Sequence, residues 1–183
     1  MLIETDRLLL RPLTADDLPA LIRFRADEEV SRYIGGAAMQ APEMVERRLG
    51  FYLECQERYG YGMSAIISKA TGEMIGWGGL QPLEDSGETE VGYGFAKEFW
   101  GQGYATEAAA ACLRYGFEQA GLKRIVAVAV PENTASRHVM EKLGMRFERI
   151  AHYYKTDCAL YAITRVEFVP RAGHYVVHDG AKG

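Results

Sequence analysis

Cysteine is scarce in this chain. Three residues of 183, Cys55, Cys112 and Cys158, make an odd and widely spaced set. No pair has zinc-ligand spacing and no disulfide framework can be built from them. They are expected to pack as small hydrophobes in a reducing cytoplasm. Histidine is equally thin: His138, His152, His174 and His178 are scattered, and only the last two are close enough to share a helix face. Gly173 and the valines beside them argue against a helix there, so no metal site is expected. Long apolar runs are missing too. None, Ile125 to Val130 included, comes near the ~20 residues that span a bilayer. The opening Met-Leu-Ile-Glu-Thr-Asp-Arg has no basic stretch before an apolar one, so neither a signal peptide nor a membrane partner is expected. Nor is there an excess of positive charge: Lys and Arg total 21 against 25 for Asp and Glu. A nucleic-acid binder would present a basic face, so that partner class is set aside.

What remains is an ordinary globular composition, 48% hydrophobic, at a length suited to one domain. Leu8 to Arg11 reads as a strand stopped by Pro12. Thr14 with Asp17 resembles a capping box before the Leu18, Leu21, Ile22 stripe of a first helix. Residues 31–41 have no period and read as a loop. A second helix starts at Pro42 and carries Val45, Leu49, Tyr52 and Leu53. Met63 to Ser68 and Met74 to Leu80 form a hairpin, and a polar loop, 82–87, leads to a strand from Glu88 to Phe95. A helix follows Gly103 and stops at Gly121. The strand Ile125 to Val130 then leads to a short helix capped by Asn133. Two last strands, Met145 to Tyr154 and Cys158 to Phe168, are split at Lys155-Thr156-Asp157. The order is β-α-α-β-β-β-α-β-α-β-β. The fold class is therefore α+β with about four helices, in which the strands flanking the 103–120 helix form a parallel pair. The domain is expected to span 1–168, with 169–183 a tail that is either a docked strand or disordered.

The chemistry is expected where the strand ending at Phe95 enters Trp100-Gly101-Gln102-Gly103-Tyr104-Ala105-Thr106-Glu107. The first amides of a helix lack internal partners and its dipole places positive charge there. With glycines allowing close approach, this suits a pyrophosphate. No lysine follows the glycines, which weakens a Walker-type loop. Along the strand, Val91, Tyr93 and Phe95 alternate onto one face and Glu90, Gly92 and Gly94 onto the other. Two glycines beside one carboxylate leave either a bare groove for a ligand or a tight packing contact. Asn133 and Ser136, directly after the next strand, are placed for ligand contact or for plain helix capping.

Gly-Gln-Gly-Tyr-Ala-Thr-Glu-Ala at 101–108, Pro131-Glu132-Asn133 and Glu141-Lys142-Leu143-Gly144-Met145 together resemble the GNAT superfamily of N-acetyltransferases. Glu4-Thr5-Asp6-Arg7-Leu8-Leu9-Leu10-Arg11 and Trp100 are similar to its branch of ribosomal-protein N-terminal acetyltransferases. The resemblance covers residues 2–168. It implies a mixed, mostly antiparallel sheet whose central parallel pair splays around acetyl-CoA, used as a co-substrate without a metal. It further implies cofactor contacts from Phe95, Ala96, Gly101, Gln102, Gly103, Tyr104, Ala105, Thr106, Asn133 and Arg137. Met140 stands where many relatives carry a tyrosine acid, and Ser136, one turn earlier, is similar to the serine that takes this role in the branch.

The acceptor must present a neutral amine. An α-amine with pKa ~8 is cheaper to deprotonate than a lysine at ~10.4, by roughly 3.3 kcal/mol, so a carboxylate acting through water suffices. Glu90 is the candidate base, with Glu88 second by the same strand parity. Amides near Phe95 are candidates to polarise the thioester carbonyl. The acceptor, a protein N-terminus or small amine, is expected to be selected by the 31–41 loop, the second helix, the 82–87 loop and Tyr153-Tyr154. Glu84, Asp85 and Glu88 offer negative charge to a cationic amine. Dimerisation through the last strand and tail is compatible with such a fold. Two alternatives stay open: a non-catalytic acyl-CoA sensor, and an NAD(P) oxidoreductase, although Thr106 fills the third glycine position of the dinucleotide fingerprint.

Overall fold

The computed structural model describes residues 1–178. One sheet of nine strands dominates it, in the order β7-β8-β6-β5-β4-β3-β2-β1-β9. Along the chain come β1 (Ile3–Thr5), β2 (Leu8–Pro12), α1 (Leu18–Ala26), α2 (Glu28–Ser31) and α3 (Pro42–Tyr59). Then follow β3 (Met63–Ser68), β4 (Met74–Pro82), β5 (Thr89–Phe95) and α4 (Tyr104–Glu118). β6 (Arg124–Ala129), α5 (Thr134–Lys142), β7 (Arg146–Tyr153), β8 (Thr156–Thr164) and β9 (Tyr175–Val177) complete the chain. Among the described residues no helix is long and apolar enough to cross a membrane.

Every strand pairing is antiparallel except β5 with β6. That parallel pair holds at one register position, Glu90 opposite Val126. Beyond it no further β5–β6 register pair forms among the described residues.

Helices cover both faces. Under α4 and α5 lie Leu10, Ile66, Leu80, Val91, Phe95, Ile125 and Tyr161. The buried side of α4 is mostly small (Ala108, Ala109, Ala111, Cys112, Gly116), which brings the helix close to the sheet. At Gly116 a Cβ would stand 2.6 Å from Ile125 Cδ1. On the other face α1 and α3 cover Met63, Ala65 and Trp77. The α3 stripe is Val45, Leu49, Tyr52 and Cys55, one helical face at spacings of three and four; Leu53 lies partly buried at its margin.

Three expectations are corrected. Residues 31–41 are not an open loop: they contain the end of α2 and a 3₁₀ turn at Gly36–Met39. Asp27 caps α2, its side chain accepting from the Glu29 and Val30 amides. The β7–β8 turn is Tyr154-Lys155, both at positive φ (53° and 62°), the geometry of a two-residue hairpin turn; Thr156 and Asp157 already belong to β8. One short strand, β1, escaped the pattern reading, and the tail takes the docked-strand alternative over 175–177. β1 pairs β2, and β9, in the tail, adds antiparallel to β1 with Glu4 opposite Val176. At three residues each they are too short to show a period. Residues 179–183 lie outside the described residues.

Gly79 in β4 offers a stability test. A Cβ there would overlap the Gly62 carbonyl and stand 2.8 Å from Met63 Cα, backbone that cannot swing aside. Gly79→Ala is expected to cost about 2 kcal/mol and about 4–8 °C in Tm. Gly92→Ala, whose Cβ would meet only Met63 Cε at 3.6 Å, is expected to stay within about 0.5 kcal/mol. Thermal unfolding of the two variants side by side checks the pair.

Candidate active site

The site grows from the end of the β5–β6 pairing. Ala96 N–H donates to Ile75 O and Leu83 N–H to Glu88 O. With the antiparallel register of β4 and β5, this turns the backbone groups of the even-numbered β5 residues toward β4. Those of Thr89, Val91, Tyr93 and Phe95 therefore point toward β6. Past Glu90 no β6 residue stands opposite them. Tyr93 and Phe95 thus offer strand hydrogen-bonding groups into the opening. The Phe95 carbonyl accepts from the Trp100 indole Nε1–H at 2.8 Å. Ala96 does not share in this edge, because its amide is spent on Ile75.

At the upper end of the opening α4 begins. Gly101 and Gly103 sit at φ 72° and 83°, left-handed backbone that other residues adopt at a cost. The first intrahelical bond runs from Glu107 N–H to Gly103 O, so the preceding amides, Tyr104, Ala105 and Thr106, have no helical partner. The Tyr104 ring packs between Phe95 and Phe99. Arg7, from the β1–β2 turn, braces this loop. Its Nη1 donates to Gln102 O at 2.9 Å, its Nε to Glu107 at 2.6 Å, and its guanidinium lies 4.3 Å from the Tyr104 ring centroid. Thr5 Oγ1 and the Arg7 amide also donate to Glu107. A cavity of about 610 Å³ runs from Gly103 and Arg7 along α4 to Arg114 and the Arg171–Tyr175 segment. Reading by motif missed Arg7, because its role needs a turn ninety-five residues distant in sequence from Gln102.

Across the opening, Asn133 Oδ1 accepts from the Ser136 amide at 3.1 Å, the capping role. The Ser136 hydroxyl lies 3.0 Å from the Tyr93 hydroxyl, linking α5 to β5. Burial pushes the Tyr93 phenol up to about 12. Arg137 is turned toward β8: its Nε donates to Tyr161 Oη and its Nη1 to Pro131 O. The Gln102 side chain donates to Glu98 O at 2.8 Å. Met140 is core, 2% exposed.

Glu90 lies on the opposite face of β5, 4% exposed. Its Oε1 accepts from Gln81 Nε2 and from the Tyr154 hydroxyl, while Oε2 makes no hydrogen bond among the described residues. Burial raises its pKa above the ordinary carboxylate range, against the opposing pull of the two donors and of Arg48. Arg48, from α3, donates to Gln81 Oε1 at 3.3 Å and stands over the Tyr52 and Tyr154 rings. The glycines beside Glu90 differ: Gly94 is explained by packing, since a Cβ would stand 2.5 Å from the Trp77 ring, while at Gly92 a Cβ would meet Met63 Cε at an ordinary 3.6 Å. Glu88 is no part of this group. It accepts from Arg124, which is shared with Glu148. Glu84 is exposed, and the Asp85 side chain lies outside the described residues. Gln81 and Arg48 were not legible as site residues, because only the β4–β5 register and the position of α3 bring them to Glu90.

A mixed sheet with a single parallel pair, whose central strand leads to a glycine-capped helix, is the architecture this chain shares with known acetyltransferases. The family profile of the acetyltransferase (GNAT) domain matches residues 7–146. The uncharacterized N-acetyltransferase YoaA of Bacillus subtilis is 34% identical over 158 residues, 84% of this chain and 87% of that protein. The acetyltransferase of Agrobacterium tumefaciens superposes with a TM-score of 0.79 at 31% identity, covering 89% of this chain and 94% of that one. RimJ of Mycobacterium smegmatis, solved with CoA-disulfide, gives a TM-score of 0.75 at 25% identity over 94% and 90% of the two chains. The chain belongs to the GNAT family of N-acetyltransferases. The dinucleotide oxidoreductase alternative falls, since its fold is a parallel doubly wound sheet and here one pair of strands is parallel.

The environment of Glu90 can be read directly by carboxyl-carbon NMR. Its titration midpoint is expected above the ordinary Glu value of ~4.3. Tyr154→Phe removes a bond that favours the ionised form, so the midpoint is expected to move higher still. A midpoint at or below the ordinary value would contradict the burial described here.

Proposed function

We propose that the protein acetylates a primary amine, either a protein N-terminus or a small amine, by direct attack on the thioester with both substrates bound. The observation that carries this reading is the inner edge of β5, open at Tyr93 and Phe95 and leading to the bare amides of α4. An amide-bearing arm such as pantetheine can add to that edge as a strand would. Gly103 leaves room at the helix start for a pyrophosphate. The residues present therefore fit acetyl-CoA, with Phe95, Gly101, Gln102, Gly103, Tyr104, Ala105 and Thr106 as its holders and Asn133 at the far wall. Ala96 and Arg137 are left out, their polar groups being engaged with Ile75, Tyr161 and Pro131.

Acetyl-CoA supplies an acetyl group already activated as a thioester. Glu90 acts as the base. Burial makes its carboxylate more basic than a surface glutamate, and the free Oε2 is the atom that takes the amine proton, directly or through one water. The new N–C bond forms as the C–S bond breaks, the bonding pair leaving with sulfur. Tyr93 and Phe95 N–H groups are aimed where a carbonyl laid on the strand edge needs donors. Ser136 with Tyr93 is the polar pair nearest α5. A phenol at about 12 stands roughly 3.5 units above a thiol near ~8.5, about 4.8 kcal/mol uphill for full transfer. The pair therefore serves a departing thiolate as hydrogen-bond donors, and water completes its protonation.

Acetyl-CoA or CoA at ~100 times Kd is expected to raise Tm by about 5–10 °C, with no response to NADH or NADPH. Gly103→Val, forced to positive φ against Arg7, is expected to weaken acetyl-CoA binding at least ~10-fold by calorimetry; normal affinity in a folded variant would move the pyrophosphate elsewhere.

Glu90 is tested by the pH dependence of kcat. The ionised form is the active one, so the rate is expected to rise with pH through its elevated pKa. Glu90→Gln should abolish that acid limb and lower kcat ~10²–10⁴-fold at neutral pH with little change in acetyl-CoA affinity. An unaltered profile would remove Glu90 from the mechanism.

A further inference from the structure

Two arginines beneath the α1–α3 roof, Arg25 buried and Arg48 half-buried, make no salt bridge among the described residues. Arg25 is 6% exposed, donates to Ile34 O at 3.1 Å and lies 4.9 Å from the Trp77 ring. Arg48 stands 4.8, 5.0 and 5.8 Å from the Phe51, Tyr52 and Tyr154 rings and donates to Gln81 Oε1. A small cavity between them is lined by both arginines, Leu21, Val45, Tyr52 and Trp77. Arg7, Arg11, Arg114 and Arg124, nearer solvent, each have a carboxylate partner. Among the described residues Arg25 and Arg48 have only neutral oxygens. Guanidinium cannot shed its proton, and a buried charge is held at a cost unless it is paired. Glu90 is the acid whose field reaches Arg48, but its Oε1 is already committed to Tyr154 and Gln81.

We infer that the acceptor is a primary amine that also carries a carboxylate, as a free amino acid does, and that Arg48, backed by Arg25, receives this carboxylate beside Glu90. This rests on the acetyltransferase reading above and narrows its acceptor. Arg48 and Glu90 meet the same two side chains, Gln81 and Tyr154, so a carboxylate on the arginine sets an amine a few bonds away within reach of Oε2. The two guanidiniums also act on the amine. Like charge disfavours its ammonium form, which raises the fraction able to attack. By the same force the site repels a polyamine, which brings positive charge and nothing to neutralise the arginines.

The test is steady-state kinetics with the free L-amino acids and, in parallel, their carboxamides, followed by thiol release from acetyl-CoA. Amino acids are expected to exceed their carboxamides in kcat/KM by about 10- to 100-fold. Arg48→Met should erase that preference through KM of the amino acid, and Arg48→Lys should keep part of it. The rise in Tm with CoA should be the same in all three proteins. Equal or better turnover of carboxamides, a preference that survives Arg48→Met, or no turnover of either series while CoA still raises Tm would each overturn the carboxylate assignment. That last group of outcomes leaves the acetyl-CoA reading standing; absence of any Tm response to CoA in the wild-type chain would overturn the reading itself.

Discussion

One pairing organises the molecule: Glu90 of β5 opposite Val126 of β6, the single parallel register position in a nine-stranded sheet. Antiparallel neighbours can be joined by tight turns, but a parallel pair needs a crossover, and α4 is that crossover. The strands are held together where Glu90 sits, and no register pair follows it. Strand hydrogen bonds that two neighbours would have exchanged are left on Tyr93 and Phe95. An unpaired edge is a liability on the outside of a sheet. Inside one, flanked by helices, it is the edge on which the proposed acetyl-CoA site rests.

The sheet then separates two tasks onto two faces. The α4–α5 face carries the glycine-capped helix start, the Arg7 brace and the Tyr93–Ser136 contact. The α1–α3 face carries Glu90, Gln81, Tyr154 and the two arginines. Period-2 alternation makes this possible from a single strand: Tyr93 and Phe95 look one way and Glu90 the other, and the backbone edge lies between them. Glu90 sits beside the break in pairing, as the last β5 residue that β6 holds.

Local patterns carried much of this. The alternation of Val91, Tyr93 and Phe95 put those side chains against α4, and Gly101 and Gly103 marked the start of a helix in a left-handed turn. The Thr14–Asp17 capping box is present, reinforced by a bidentate bond from Arg11 to Asp17. Where reading stopped short, the cause was a competing contact from far along the chain. Gly94 is bare because an indole from β4 fills the space. Ala96 faces β4, not the opening. Arg137 finds Tyr161 on β8. The turn at 154–155 was displaced because Tyr and Lys are not the residues that usually mark positive φ.

The sequence by itself determined what is local: an α+β order, a helix whose first amides stay free, a strand with a carboxylate on one side, and a family pattern dense enough to name the chemistry. Tertiary structure alone decided which partners each of those groups has. Arg7 reaches Gln102, Arg48 reaches Gln81, and Tyr154 reaches Glu90 across separations of 95, 33 and 64 residues. Short-range propensity cannot encode such meetings, because they depend on where whole elements pack. The sheet register and the seating of α3 fix them together.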